Sequence, residues 1–438
     1  MSMLTEQEAK RIIDKVLAWS KADETSVTLT GSRTGNIRYA RNTVSTSGER
    51  DNLSLVITTV FGKRSGSASV NEFTDEALEQ TLRRAEETAR LAPENPEYVP
   101  MLGAQNYGPS ATYAPKTAAI TPQFRADAAF NSIQPAIAKK LIAAGYLEDS
   151  TGFTAIGNSR GLFAYNKDTS LDFTITVRTP DGRGSGFAAQ HFTDAAQLNT
   201  KAATEIAAQK AVASASAREL PPGKYTVILE PMAAESFLSF FMSALDARNA
   251  DEGRSFLSKK GGGTRVGENM FFPSLTIYSD PAHPEAPSSP FAPDGRPQER
   301  VTWVQDGAVR NLSYSRFWAQ KQGVKAIPQP GSVIIEGGNQ SLTDLIKSTD
   351  KGLLVTRTWY MRMVDPQSLV VTGLTRDGLF YIENGIIKHA VKNFRFNESP
   401  LAMFRNLEAV GRSARVGNNM VPAMKIRDFN FTSLSDAV

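Results

Sequence analysis

The pattern of apolar and polar residues in the N-terminal part of the chain predicts two amphipathic helices. Thr5 and Glu8 have the spacing of a capping box. The apolar residues that follow recur at helical intervals: Ala9, Ile12, Ile13, Val16 and Leu17. A second helix is predicted to begin after Thr74 and to end before Pro93. Its apolar stripe is formed by Leu78, Leu82, Ala85 and Ala89.

Strict alternation of apolar and polar residues predicts β-strands elsewhere in this half. Residues 52–60 and 64–70 are rich in β-branched side chains and flank a turn at Gly62-Lys63, which predicts a hairpin. Residues 151–192 alternate in the same way and predict an antiparallel meander. Three dipeptides are predicted as its turns: Asn158-Ser159, Asn166-Lys167 and Asp181-Gly182.

The remaining segments of this half connect these elements. Residues 93–121 are rich in Pro, Gly, Tyr and Ala without a sustained period, which predicts a long surface excursion or a lid of unassigned role. A helix is predicted from Thr121 to Gly145, with a kink or break at Pro135. Residues 193–216 predict a closing helix, and the Ala/Ser-rich tail with Pro221-Pro222 predicts a domain boundary near residue 218.

The C-terminal half is predicted to be mostly β-structure. Asp306-Gly307 and Asn384-Gly385 are type I′ hairpin dipeptides between apolar runs. Further strands are predicted in five segments: 274–280, 331–338, 352–363, 368–378 and 423–434. Closely spaced strands of this kind favour a barrel or a strongly curved sheet.

One prominent helix is predicted in this half, after the short apolar strand in residues 221–231. Its apolar residues recur at helical spacing in the segment FLSFFMSAL, residues 237–245. A buried core helix explains this segment by itself, without any functional role. The predicted fold class is therefore α+β with two domains. Residues 1–218 form helices on an antiparallel sheet, and residues 219–438 form a mostly-β, barrel-like or curved-sheet domain.

Composition narrows the choice of partners and compartment. The 438 residues include 49 basic and 45 acidic side chains, spread along the chain for a net charge of +4, so no nucleic-acid partner is predicted. The absence of cysteine excludes disulfides and thiolate zinc sites and suits a reducing cytosol, so we expect a cytoplasmic protein. The sequence has no apolar run long enough for a membrane span and no signal-peptide pattern, so no membrane association is predicted.

Few residues are candidates for catalysis or for binding a metal ion or phosphate. The three histidines, His191, His283 and His389, are isolated from one another, which favours structural or surface roles. An acidic cluster around residues 237–245 could hold a cation or polarise water: Glu230, Glu235, Asp246, Asp251 and Glu252. Solvation of a helix face and ion pairing with Arg248 or Arg254 is the more usual explanation. Residues 258–268 lack the order of a phosphate-binding loop and predict a mobile loop that borders a groove.

Five segments, taken in order, resemble the TldD/PmbA family, peptidase-related proteins once named modulators of DNA gyrase. They are RYARNTVSTSGERDNLSLVITTVFGKRSGSASVNEFTDEALEQTLRRAEETAR, GNSRGL, LPPGKYTVILEP, LIKSTDKGLLVT and LFYIENGIIKHAVKN, at residues 38–90, 157–162, 220–231, 345–356 and 379–393. Each segment is weak evidence alone, but their order and spacing extend the resemblance over nearly the whole chain.

The metal-binding branch of that family carries a His-Glu-x-x-x-His signature on the helix after the PGKY-like strand, and a cysteine near the C-terminus. Ser239, Phe240 and Ala244 stand at the matching helix positions here, and Ser413 stands near the cysteine position. Side chains of these types do not hold zinc. The chain therefore resembles the metal-free PmbA/TldE branch, with no cofactor of its own.

This resemblance implies a non-catalytic subunit that pairs with a zinc-bearing, TldD-like metalloprotease subunit, in a heterodimer or a higher complex, and acts on unfolded peptides. Ser239, Asp246 and Arg254 are candidate peptide contacts, because each is expected beside the groove. The alternative is a stand-alone, homodimeric scaffold that binds a peptide or protein. A weaker third hypothesis is a metal-independent hydrolase that uses the acidic cluster.

Overall fold

The computed structural model describes residues 3–435 and shows a mixed α+β protein. Its helices are α1 (Glu6–Trp19), α2 (Asp75–Leu91), α3 (Pro115–Ala118), α4 (Pro122–Ala138), α5 (Thr200–Ser214), α6 (Pro231–Ser243), α7 (Ala247–Asp251), α8 (Arg316–Gln322), α9 (Leu342–Lys347) and α10 (Pro400–Arg405). Among these described helices, none is long and apolar enough to cross a bilayer.

The N-terminal half contains one six-stranded antiparallel sheet with the strand order β3-β2-β1-β4-β5-β6. Its strands are β1 (Glu24–Ala40), β2 (Thr43–Phe61), β3 (Arg64–Val70), β4 (Ile142–Asn158), β5 (Phe163–Arg178) and β6 (Ser185–Phe192). The central strands are long because β1 pairs with β2 and with β4 along almost its whole length. The predicted hairpin of residues 52–60 and 64–70 is confirmed as the pairing of β2 with β3.

Four helices cover one face of this sheet, where α1 and α4 pack on β1 and β4, α2 packs on β2 and β3, and α5 packs on β5 and β6. Buried apolar side chains of the strands meet the helices on this side, as Leu29 does near α1 and Leu171 near α4 and α5. The opposite face of β1 carries short polar side chains: Ser26, Thr28, Thr30, Ser32 and Thr34. The sheet is therefore amphipathic, as expected for an antiparallel sheet covered on one side.

The C-terminal half contains a mixed sheet of thirteen strands. They are β7 (Gly223–Leu229), β8 (Ile277–Ser279), β9 (Val301–Gln305), β10 (Ala308–Val309), β11 (Ile334–Ile335), β12 (Lys351–Val355), β13 (Thr358–Asp365), β14 (Val370–Thr375), β15 (Leu379–Glu383), β16 (Ile386–Ala390), β17 (Phe394–Glu398), β18 (Leu407–Val416) and β19 (Asn419–Leu434). The main path runs β10-β9-β8-β11-β19-β7-β12-β15-β16, and β19 also pairs with β17 and β18. The sheet branches at β19 and does not close within the described residues. Of the two predicted alternatives, a barrel or a strongly curved sheet, the barrel is therefore wrong.

Several local predictions are confirmed. Thr5 and Glu8 form the capping box of α1, and Thr74 caps α2 through its side chain. Both residues of Asp306-Gly307 and of Asn384-Gly385 have positive φ, as type I′ turns require. These two dipeptides connect β9 with β10 and β15 with β16.

Three local predictions are wrong. The helix predicted to reach Gly145 ends at Ala138, and β4 takes over at Ile142. Pro135 does not break α4, which continues through it for three residues. Asn166-Lys167 is not a turn, because both residues pair with β4 in the middle of β5. In each case tertiary packing of a long strand or helix overrides the local preference.

Residues 93–121 form a strap between the two halves, irregular except for α3. Glu97 forms a two-bond ion pair with Arg248 of α7, at 2.9 Å for each bond. The Tyr107 hydroxyl donates to the carbonyl oxygen of Gly295 at 2.8 Å, and the Tyr107 ring packs on Phe291. The domain boundary near residue 218 stays a prediction. Strands β1–β6 precede it, β7–β19 follow it, and the two sheets touch where β6 meets β18.

Candidate functional site

Helix α6 carries three of the four positions singled out in the sequence, and it forms the centre of the C-terminal core. It begins with Pro231 directly after β7 and packs against β13, β18, β19 and α10. Phe237 and Phe241 are fully buried. Phe241 meets Phe404 edge to face at a centroid distance of 5.0 Å, and Phe237 packs on Phe396 at 5.6 Å. The buried side of α6 is therefore an aromatic core, as its apolar spacing predicts.

The three positions on α6 differ in their environments. Ser239 is exposed, and its hydroxyl donates to Oε1 of Glu235 one turn earlier at 2.9 Å. Phe240 is partly buried against the core. Ala244 ends the helix as its C-cap. The only polar side chain among these three is therefore used in a hydrogen bond within its own helix.

The fourth position, Ser413, lies in β18. Its hydroxyl donates to the carbonyl oxygen of Ile335 at 2.9 Å. A Cβ atom on Gly337 would lie 2.5 Å from the Ser413 Oγ, so this close approach requires glycine at position 337. Ser413 thus holds the segment after β11 against β18. Glu235 links α6 indirectly to this region, because its Oε1 atom accepts a hydrogen bond from Nδ2 of Asn419 at 3.3 Å.

The residues at these four positions do not fit zinc. Two hydroxyls, one phenyl ring and one methyl group provide no thiolate, imidazole or carboxylate, and both hydroxyls already donate to protein oxygens. Within residues 3–435, no three His, Cys, Asp or Glu side chains are arranged to hold a metal ion.

The acidic cluster is occupied by contacts within the protein. Glu230 pairs with Lys210 of α5 at 2.7 Å. Asp251 accepts a hydrogen bond from the Trp318 indole at 2.7 Å. Together with the Glu235 contacts, these bonds favour the structural explanation of the cluster over acid/base catalysis.

Glu252 completes the cluster as the acceptor for two arginines. Arg254 and Arg248 both donate to its carboxylate, and these hydrogen bonds lower the pKa of Glu252. A carboxylate held in this way stays ionised and is a poor proton donor near neutral pH.

The three candidate peptide contacts lie close together in the chain but have different environments. Ser239 and Arg254 are exposed, and Arg254 is ion-paired with Glu252. Asp246 is half-buried and caps α7 by accepting from the backbone N–H of Asn249 at 2.8 Å. Their contact with peptide stays a prediction.

The three histidines are engaged in separate parts of the fold. Nδ1 of His191 hydrogen-bonds Oδ1 of Asp172 at 2.6 Å. His283 accepts from two backbone N–H groups that follow it, and His389 stacks on Tyr381. Each histidine thus has a contact of its own with a neighbouring residue.

A cavity of about 230 Å³ lies where the two halves meet, away from the positions predicted from sequence. Asp377, 1% exposed, lines it. Its carboxylate accepts from the Ser185 hydroxyl at 2.6 Å and from Arg357 at 2.8 Å. Burial lowers the pKa of Arg357, whose guanidinium also stacks over Phe187. We call this contact of Asp377 with Ser185 and Arg357 the Asp377 junction. In the sequence, the Asp377-Gly378 dipeptide indicates only a turn and does not indicate a contact between the two halves.

Comparison with known proteins gives one relative matched over nearly its whole length and one matched over a little more than half of its length. The chain is 24% identical to "Metalloprotease PmbA" of Escherichia coli O157:H7, over 97% of this chain and 98% of that protein. It is 22% identical to "Metalloprotease PmbA homolog" of Buchnera aphidicola subsp. Baizongia pistaciae, over 59% of this chain and 57% of that protein.

Solved structures share the fold. TldE from Thermococcus kodakarensis has a TM-score of 0.87 at 18% identity, covering 98% of this chain and all of that chain. A putative modulator of DNA gyrase from Thermotoga maritima also has a TM-score of 0.87 at 18% identity, over 97% of this chain and all of that chain.

Family models match most of the chain in three consecutive parts. Residues 26–89 match "PmbA/TldA metallopeptidase domain 1", residues 123–215 match the central domain, and residues 222–433 match the C-terminal domain. The five segments that resemble the family in the sequence lie within or next to these three matched parts, in the same order along the chain. The chain therefore belongs to the PmbA/TldD family.

Proposed function

We propose that this chain is a non-catalytic, PmbA/TldE-like subunit of a metalloprotease complex that acts on unfolded peptides. The observation that carries the proposal is the donor set at Ser239, Phe240, Ala244 and Ser413, which does not fit zinc. In this proposal a TldD-like partner provides the metal and the bond cleavage. This chain contributes one wall of the peptide-binding space in a cytoplasmic complex.

Two further observations support this role. The helix at the metal-site position is retained with a fully buried aromatic side, so its packing is intact. The acidic side chains around it are paired with Lys210, Arg248 and Arg254 or bonded to neutral donors, so they offer no evident proton donor or base. Among the described residues, the pairing of these acidic side chains does not favour a metal-independent hydrolase.

The first prediction concerns metal content and activity. The purified chain is expected to bind no stoichiometric zinc and to cleave no unfolded peptide, because its donors do not hold the ion. Addition of a TldD-like partner is expected to produce peptide cleavage. Metal analysis and a peptide-release assay measure both, with the partner alone as the control.

One tightly bound zinc per chain, or robust cleavage by the chain alone, would overturn the proposal. Sizing the chain with and without the partner separates it from the alternative of a stand-alone, homodimeric scaffold. A mixed complex that displaces self-association supports the subunit role. A homodimer that ignores the partner supports the scaffold.

A further inference from the structure

A groove of about 410 Å³ lies between the strap and the C-terminal half, within the usual size range of ligand pockets. We call it the strap groove. Its walls include Val99, Leu102 and Gln105 of the strap and, on the other side, Arg316, Ala319 and Val324 in and after α8. None of its described lining residues belongs to α6 or β18, so it is separate from the four positions compared with the zinc ligands.

Arg316, at the beginning of α8, is a half-buried cation without a carboxylate partner. Its guanidinium donates to the carbonyl oxygen of Pro100 in the strap. Among the described residues, no carboxylate forms an ion pair or a hydrogen bond with Arg316. Burial lowers its pKa, yet an arginine stays charged in proteins, so a positive charge is held in the groove without a counter-ion. A carboxylate of a ligand would provide that counter-ion.

Two carboxylates act on Arg316 from nearby, but each is bound to another arginine. Asp294 accepts a hydrogen bond from Arg296 at 2.7 Å, and Glu24 is paired with Arg160. After burial, the remaining influences on the pKa of Arg316 oppose each other, because the two carboxylates raise it and the two arginines lower it. The five side chains together carry three positive and two negative charges, so the surroundings of Arg316 favour an anion.

A second cation of the strap groove has a partner that a ligand can displace. Lys325 pairs with Glu299 at 2.6 Å, and both residues line the groove. Their side chains are 71% and 58% exposed, and an ion pair this exposed contributes little to stability. Lys325 can therefore turn to a carboxylate of a ligand. Glu299 is then a like charge that opposes the binding of an anion.

The strap also offers backbone groups to an extended chain. The backbone N–H groups of Leu102, Gly103, Ala104 and Gln105 have no acceptor among the described residues. Gly103 and Ala104 are exposed. Unpaired backbone groups of this kind can hydrogen-bond an extended peptide, as the edge of a sheet does. The strap groove thus combines free backbone donors with apolar side chains and cations.

We propose that the strap groove binds an extended peptide segment through an acidic side chain, whose carboxylate pairs with Arg316. The apolar neighbours of that acidic residue contact Val99, Leu102 and Val324, and the peptide backbone pairs with the strap. A peptide fits the groove better than a small anion does, because a small anion would leave the apolar side chains and the backbone donors unused. The use of this site to select unfolded peptides rests on the proposed function, whereas the binding itself does not.

Three synthetic peptides test the chemistry of the ligand. The first is acetyl-Leu-Ala-Glu-Ala-Leu-amide, and in the second glutamine replaces the glutamate. The third is the glutamine peptide with a free C-terminal carboxylate, so its only charge is at the chain end. Isothermal titration calorimetry of the chain alone at low ionic strength is expected to show that the first peptide binds about tenfold more tightly than the other two.

A matched pair of arginine substitutions tests the site. Arg316→Gln removes the charge and is expected to weaken binding of the glutamate peptide about tenfold. Arg300→Gln makes the same change at an exposed arginine that does not line the strap groove, and it is expected to change binding by less than about twofold. Circular dichroism checks that both variants are folded.

A third variant is expected to act in the opposite direction. Glu299→Gln removes the like charge and releases Lys325, so the glutamate peptide is expected to bind about threefold more tightly. Loss of folded structure cannot produce tighter binding. This variant therefore decides the question even if Arg316→Gln disturbs the contact between α8 and the strap.

Equal binding of the glutamate and glutamine peptides would overturn the inference, as would no binding of the glutamate peptide to the chain alone. Unchanged binding by folded Arg316→Gln, or weaker binding by Glu299→Gln, would also overturn it. Tightest binding of the peptide with a free C-terminal carboxylate would show that the groove recognises a chain end and not an acidic side chain. The test needs neither zinc nor a TldD-like partner, so its failure is distinguishable from failure of the proposed function.

Discussion

Arg125 shows how one buried side chain determines the identity of a neighbour. The guanidinium is 1% exposed and donates to Asp149 and to Glu49. A Cβ atom on Gly35 would lie 1.8 Å from its Nη2 atom, so the arginine requires glycine beneath it. The hydrogen bonds that Arg125 donates to Asp149 raise the pKa of its guanidinium, which therefore stays charged at neutral pH.

At this scale we predict that Arg125→Met lowers the free energy of unfolding by about 3–5 kcal/mol, because Asp149 would stay buried without a cation. Glu49→Gln is the control, with an effect below about 1 kcal/mol, since Glu49 is half exposed. Urea denaturation measures both. Equal stability of Arg125→Met and the natural chain would show that Asp149 finds another partner.

Helix α6 has a buried side that packs the core and an exposed side that carries polar residues. Phe241 contacts three aromatic rings, those of Phe256, Phe271 and Phe404. Ser239 on the opposite side reaches only Glu235 of the same helix. The two faces of α6 therefore have separate roles.

For this element we predict that Phe241→Ala lowers the free energy of unfolding by about 3–5 kcal/mol, because it leaves a cavity among buried rings. Ser239→Ala is expected to change it by less than about 0.5 kcal/mol. Thermal and urea denaturation provide the comparison. If Ser239→Ala abolished cleavage by the assembled complex without changing stability, the hydroxyl would have a chemical role after all.

The two halves of the molecule are joined by the strap and by the Asp377 junction. Ser185 of β6 and Arg357, which lies between β12 and β13, share the Asp377 carboxylate, although they are far apart in sequence. The loss of this carboxylate would leave Arg357 mostly buried and unpaired.

At the scale of the whole molecule we therefore predict that Asp377→Ala lowers the free energy of unfolding by about 3–5 kcal/mol. Amide exchange is expected to become faster on both sides of the junction, in β6 and in β14–β15. Arg183→Ala is the control at the same cavity, with an effect below about 0.5 kcal/mol, because Arg183 is exposed. Faster exchange confined to one half would show that the junction does not couple the halves.

Sequence reasoning performed unevenly on the strands. It found both type I′ hairpins, because positive φ at Asp306 and Asn384 is a local property of those residues and the glycines that follow. It missed β1 and β18 as strands and placed a turn inside β5 at Asn166-Lys167. Those strands are stabilised by partners distant in sequence, and such pairing overrides local preference.

The sequence by itself determined the helices with clear caps, the α+β character, the family, and the absence of zinc donors at Ser239, Phe240, Ala244 and Ser413. Each of these depends on residue identity or on spacing within a few positions. Only the tertiary structure decided the open, branched C-terminal sheet, the strap and the Asp377 junction. These features depend on contacts between segments distant in sequence, and local periodicity carries no information about which distant segments meet.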